Sequence, residues 1–191
     1  TENGPSGSQA AYDLLNQNKW GALLAKKAGS AVYRRLFGEF LGAQTTMNIQ
    51  RRALQLAVNW EVSEVAPAAV KLAKNKNTIG TIRGQALVAI GGLGTKENLA
   101  DIRPLLEDTT VVAGVRFGTE QRTVEARDVA LGVALTLCGQ QTSDFGFEND
   151  TQIRGGFSPV RLQGYAFASP ERRDEAFRKW KEFADKEKLF K

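Results

Sequence analysis

Three stretches of the sequence share one register. "IQRRALQLAV" (49–58), "IRGQALVAIGGLG" (82–94) and "ARDVALGVALTLCG" (126–139) each open on an apolar or small residue and pass three mostly polar positions. Each then reaches Ala-Leu and continues with apolar residues at helical spacing. Ala53, Ala86 and Ala130 mark the register, with 33 residues between the first two and 44 between the next. A helix of this kind cannot bury its apolar surface alone, so a chain that repeats it must stack the copies against one another. The longer second interval marks an insertion.

A shorter helical pattern precedes two of these stretches. "SEVAPAAVKLAKN" (63–75) and "TKENLADIRPLLED" (95–108) begin with Ser63 and Thr95, residues that cap helices, and carry apolar residues at i, i+3 and i+4. Pro67 falls in the first turn, where a missing N–H costs little. Pro104 falls deeper and predicts a kink or a shift in hydrogen bonding. Helix, short turn and helix, repeated, predict an all-α fold in which helix pairs stack as an α-α superhelix. Small residues at 86, 89, 130 and 134 are expected where neighbouring helices approach, and Leu87, Ile90, Leu93, Leu131, Leu135 and Leu137 are expected in the core.

The residues of these pairs carry a resemblance. "ADIRPLLED" followed by "ARDVALGVALTLCG" resembles the HEAT repeat, whose first helix often holds a proline before Leu-Leu and a terminal acid. The second helix of that repeat opens Val-Arg-x-x-Ala and closes Leu-Gly. Arg83 and Arg127 match its arginine, Ala86 and Ala130 its alanine, Gly94 and Gly139 its closing glycine, and Asp108 its acid. The first stretch departs from the pattern, with Gln50 in the arginine's place. Over residues 120–183, "RDVALGVALTLCGQQTSDFGF" and "GYAFASPERRDEAFRKWKEF" are similar to uncharacterised HEAT-like proteins of planctomycete bacteria. The resemblance implies a HEAT/armadillo-like solenoid over residues 9–191 and supplies no catalytic residue. Arg83 and Arg127 are expected to bridge neighbouring units through helix-end carbonyls or acids such as Asp108.

Composition narrows the chemistry. The chain contains no histidine, which removes the commonest general base, the Ser and Cys triads and most zinc sites. Glu107 and Asp108 come closest to a paired acid site, and they end a helix pattern beside polar residues. "GGLGTKE" lacks both the preceding strand and the GxxxxGK[ST] spacing of a phosphate cradle. No cofactor and no metal is expected. The formal charge is +5, and its excess lies in residues 1–60, where seven Lys/Arg face three acids. No run approaches the roughly 18 apolar residues that span a bilayer, so no membrane span is expected. One cysteine leaves the compartment open, cytoplasmic or, if an upstream signal segment has been removed, extracytoplasmic. Cys138 itself shares the apolar register of Leu131 and Leu135 and is expected to be a buried thiol.

Outside the stack the sequence changes character. Residues 1–8 read as a flexible segment. The insertion, about 109–125, is rich in β-branched residues around "FGTE" and predicts a short hairpin. Residues 139–168 read as an ordered loop pinned by Phe145, Phe147, Phe157, Tyr165 and Phe167, with an Arg-Gly-Gly turn at 154–156. Ser169-Pro170 then opens a capping helix, about 169–188, with Phe177, Trp180, Phe183 and Ala184 on one face.

These readings favour a non-enzymatic scaffold that binds a protein or peptide. Nucleic-acid binding through the basic N-terminal helices is the alternative, and carboxylate, Tyr or Lys catalysis a third. In a helical solenoid the second helices line the concave side, where positions beside the register alanines form rungs of one surface. Those rungs are Arg51, Gln55, Gln85 and Asp128, with Arg116, Phe117 and Glu120 of the hairpin overhanging them.

Overall fold

The structure, a computed structural model, describes residues 7–17, 19–117, 119–148 and 159–190. Residues 1–6 of the expected flexible segment, the Arg-Gly-Gly turn and Phe157 lie outside the described residues. Gly7 and Ser8 belong to helix α1, Gly7–Leu15. The chain is mostly helical, with α2 (Trp20–Leu24), α3 (Ala31–Ala43), α4 (Met47–Asn59), α5 (Ala66–Lys74) and α6 (Gly80–Leu93) following. After α7 (Leu99–Ile102) come a two-stranded antiparallel sheet, β1 (Val111–Phe117) and β2 (Glu120–Glu125), then α8 (Ala126–Leu137) and α9 (Pro170–Lys186).

The centre of the molecule is α6. Its sequence is apolar on nearly every side, and a helix of that kind is enclosed rather than half-exposed. It packs against α4, α5, α8, β1 and the 3₁₀ segment Pro159–Tyr165, and only Thr81 and Gly92 of α6 are exposed. The register residues Ala53, Ala86 and Ala130 are all fully buried, as are Ala89 and Ala134. Gly91 shows why small residues sit here, since a Cβ at this position would lie 3.3 Å from the Val133 side chain of α8. Outside this row, α3 packs on α5 and on the 3₁₀ turn Ser63–Val65.

Local chemistry sets the ends of these elements. Thr95 caps a short 3₁₀ turn, its hydroxyl accepting from the Glu97 N–H at 3.3 Å while its own N–H donates to Asn98 Oδ1 at 3.0 Å. Pro104 has the effect its position predicts, because α7 gives way at Arg103–Glu107 to a 3₁₀ helix. Pro67 lies in the first turn of α5. Ser63 is not a helix cap. It opens the 3₁₀ turn, and its side chain caps no N–H there, because the chain has already turned at Val62. Ser169 caps α9 by accepting from the Arg172 N–H.

The insertion is a hairpin with a register shift between Val111 and Ala113. The extra residue puts Val112 and Val115, three apart, into the same core with Val124, where strict alternation would have placed one of them outside. Beyond α8 the chain keeps its aromatic pins. Phe147 meets Tyr165 edge-on at 6.1 Å and Phe167 at 4.6 Å, and Phe145 meets Phe183 of α9 at 6.1 Å. The apolar face of α9 is as expected, with Ala176, Trp180 and Ala184 buried and Phe177 and Phe183 half-buried. Cys138 lies in the core, and burial pushes its thiol up.

Arg83 is 1% exposed and joins three elements. Its Nε donates to the Ala73 carbonyl at the end of α5 (2.9 Å), Nη1 to Thr110 Oγ1 (3.2 Å) and Nη2 to Asp108 Oδ2 (2.5 Å). Arg127 departs from the expected equivalence. Its side chain turns outward, ion-paired with Glu125 at 2.7 Å and lying over the Phe177 ring, and only its backbone N–H reaches Asp108, at the carbonyl. Arg83 already occupies the carboxylate that Arg127 was expected to share.

Burial alone would raise the Asp108 carboxyl, but hydrogen bonds from the Thr110 hydroxyl, Arg83 and the Thr110 N–H, with the Arg83 charge, hold it at about 2 against an ordinary 3.8. A depressed carboxylate contributes stability that is complete above its unfolded value and lost as pH falls through its folded one. We therefore expect Asp108 to contribute about 2 kcal/mol at neutral pH, lost between about pH 4 and pH 2. In urea titrations across that window, Asp108→Asn should show a shallower acid limb than the wild type. Equal slopes would refute the assignment.

Candidate functional site

The seven residues read as a partner surface are divided by the fold. Arg51 is exposed on α4, and Gln55, half-buried, accepts from Arg52 Nη1 at 2.9 Å. On the hairpin, Arg116 and Glu120 are exposed, and Glu120 pairs with Arg122 at 3.1 Å. Phe117 ends β1 opposite Glu120, its side chain lying outside those described. Gln85 and Asp128 lie in the interior at 1% and 0% exposure, so neither is a surface rung.

Each correction has a physical cause. Gln85 is buried because the elements packed on α6 leave only Thr81 and Gly92 of that helix exposed. A Cβ on the neighbouring Gly84 would meet Leu162 and Val112 at 2.9 and 3.0 Å, which shows how closely the loop and hairpin are seated there. Among the described residues, neither its Nε2 nor its Oε1 has a hydrogen-bond partner. Asp128 is the third residue of α8 and folds back on that helix's own N-terminus, accepting from the Glu125 N–H at 2.8 Å. Its oxygens also take both prongs of Arg173, Nε at 2.8 Å and Nη2 at 2.9 Å. Burial pushes the Asp128 carboxyl up, while these N–H groups pull it down. Arg173 further donates to the Thr123 carbonyl and pairs with Glu125, so it ties α9 to both the hairpin and α8.

Two concave surfaces of the described residues lie at the edge formed by the turns between helices, and another, about 400 Å³, lies between β2 and the start of α9. One groove, about 460 Å³, runs between the α3–α4 turn and the α5–α6 turn. Amide and hydroxyl side chains line it (Gln44, Thr45, Gln50, Asn75, Asn77 and Thr78), with Met47, Leu72, Ile79 and a single cation, Lys71. Met47 and Ile79 are among the most exposed large apolar residues described, at 43% and 56%. Gln50 is held from below, its Nε2 donating to the Gln44 carbonyl at 2.8 Å, and the Asn75 Oδ1 orders the turn by accepting from the Asn77 N–H at 2.9 Å. A second groove, about 600 Å³, lies across the same α5–α6 turn, bounded by Lys74, Lys76, Pro104, Glu107 and Thr109.

None of these groove residues is among the expected rungs, yet the sequence carries a signal for them. "GAQTTM" and "NKNTI" are both polar inter-helix turns that end on an apolar residue, Met47 and Ile79, which packing leaves outside. The first groove offers hydrogen bonds and apolar contact rather than paired acids. Among the described residues, no group of three His, Cys, Asp or Glu side chains could hold a metal ion, and no helix is long and apolar enough to cross a membrane. Compared with protein-family models, curated proteins and solved structures, the chain matches none.

Two substitutions test these interior assignments. A buried amide without partners costs about 1–3 kcal/mol. Gln85→Met, close in shape, is therefore expected to raise the midpoint of thermal unfolding, and a lower midpoint would show that the amide is satisfied. Arg173→Met leaves Asp128 as an uncompensated buried charge and is expected to destabilise by about 3–5 kcal/mol. Adding Asp128→Leu should recover part of the loss, whereas additive losses in denaturant titrations would deny the coupling.

Proposed function

We propose that the chain is a HEAT-like, armadillo-type stack of helix pairs that serves as a non-enzymatic scaffold binding an extended polypeptide. Packing of α4 on α6 and of α6 on α8, with α3 on α5, supports the stack, as does the bridging role of Arg83 at the position that resembles the repeat's arginine. The observation that carries the binding reading is the first groove. Its lining of amides and hydroxyls beside exposed Met47 and Ile79 suits a polypeptide, whose main chain needs both donors and acceptors and whose side chains need apolar seats. A phosphate backbone would call for several cations, and the groove holds one among its described residues. The basic excess of residues 1–60 is also partly neutralised within the molecule, Lys26 pairing with Glu61 and Arg34 with Glu64.

The site in this reading moves from the face of the second helices to the turn edge. Peptides selected from a random display library against the immobilised chain provide the probe. Met47→Arg with Ile79→Arg should weaken the selected peptides at least about tenfold, or roughly 1.4 kcal/mol. Arg51→Ala with Gln55→Ala should leave them nearly unchanged. The reverse pattern would return the site to α4, and steep loss of binding with rising salt would favour a polyanion instead.

A further inference from the structure

Helix α3 presents an apolar face that no described element covers. Val32, Tyr33 and Leu36 are 57%, 48% and 49% exposed. Exposed positions elsewhere are mostly polar or charged, with Glu64 on the turn before α5, Lys71 and Lys74 along α5, and Glu97, Arg103 and Glu107 around α7. At 3.6 residues per turn, Val32 and Leu36 form a stripe along α3. Tyr33 and the half-buried Phe40 lie on one flank of it. Arg35 and Glu39, with side chains 71% and 65% exposed, lie on the other.

We propose that this face is the interface of a homodimer in which the α3 helices of two copies pack antiparallel about a two-fold axis passing between residues 36 and 37. Such an axis, perpendicular to both helices, sets like flanks side by side and reverses their direction. On the aromatic flank, Tyr33 then lies beside Phe40 of the second copy. On the charged flank, Arg35 lies beside Glu39 of the second copy, and each contact occurs twice. The midpoints of the two pairs differ by half a residue, about 0.8 Å along a helix rising 1.5 Å per residue. Leu36 is the exposed residue nearest that point and meets its own counterpart. A surface whose aromatic pair and charge pair centre on one point is complementary to itself, and a surface shaped for a different partner has no need of that coincidence. One helix pair buries less than the roughly 800 Å² per partner of a standard interface, so the dimer is weak and reversible, with a dissociation constant on the order of tens of micromolar. This inference does not depend on the polypeptide-binding reading, because α3's outer face and the groove are tested by separate variants.

Sedimentation velocity of the whole chain from about 1 to 500 μM, a range that brackets this affinity, should show the mass rising from 20.8 kDa toward twice that value. A single 20.8 kDa species throughout would overturn the proposal. Leu36→Glu is expected to raise the dissociation constant more than about tenfold with an unchanged circular dichroism spectrum. Undiminished dimerisation of that variant would overturn it. Pairing is tested by mixing. Chains carrying R35E and chains carrying E39R each bring like charges together in their own dimers, and each also has a like-charged intrachain pair, which mixing cannot relieve. A mixed dimer alone sets opposite charges across both contacts. We expect each variant alone to dimerise at least about tenfold more weakly than wild type, and the mixture to recover most of that loss. No recovery on mixing would overturn the antiparallel arrangement.

Discussion

A helix end pressed against its neighbours leaves carbonyl groups without partners, and in this molecule buried guanidinium groups meet that need at the joints between elements. Arg34, on α3, donates to the carbonyls of Leu24, Trp60 and Glu61, closing the ends of α2 and α4, and takes Glu64 as its counter-ion. Arg83 does the same for α5, and Arg173 ties the hairpin to α8 and α9. Five N–H donors in a rigid fork can serve a carbonyl and a carboxylate together, which the point charge of a lysine cannot. Buried ion pairs are often no more stabilising than apolar packing would be. What the arginines supply is placement, because each can satisfy its donors only when the right helix ends adjoin.

The sequence made the centre of the fold legible because its signals were local. The recurring Ala-Leu register, Pro67 and Pro104, the β-branched insertion and the Ser169-Pro170 start each act within one element, and the structure places them accordingly. Arg83 and Asp108 are also legible, since each sits at a marked position of the recurring helix pattern, Arg83 in the stretch 82–94 and Asp108 at the end of the next, 95–108. Arg34 and Arg173 are not, because their partners stand 30 and 45 residues away and follow no local spacing.

The surface is less legible for a related reason. Gln85 and Asp128 are polar residues at positions that a bare helix would present to solvent, so periodicity marks them as outward. Their burial is decided by Pro159–Tyr165 and α9, elements far along the chain that return over α6 and α8. Polar character then acquires a new meaning in each case, a helix cap and ion-pair partner at Asp128 and an unsatisfied amide at Gln85. The groove at the turn edge is faint in the sequence because turn residues are expected to be polar whatever they do. The sequence shows two polar turns that each end on an apolar residue, and their approach in three dimensions, with Met47 and Ile79 left outside, makes one groove of them.

The three tryptophans fall at the two extremities of this arrangement. Trp20 stands 5.3 Å from Phe37, and the Trp60 ring lies over Gly21, so both belong to the N-terminal joint that Arg34 closes. Trp180 packs with Phe183 and Phe190 on and beside α9 at the other end. Helices α5, α6 and α8 contain none. Intrinsic fluorescence of this protein is therefore a report from its margins. A change in emission says that one of the ends has opened to water, and it is silent about whether the enclosed helix between them still stands.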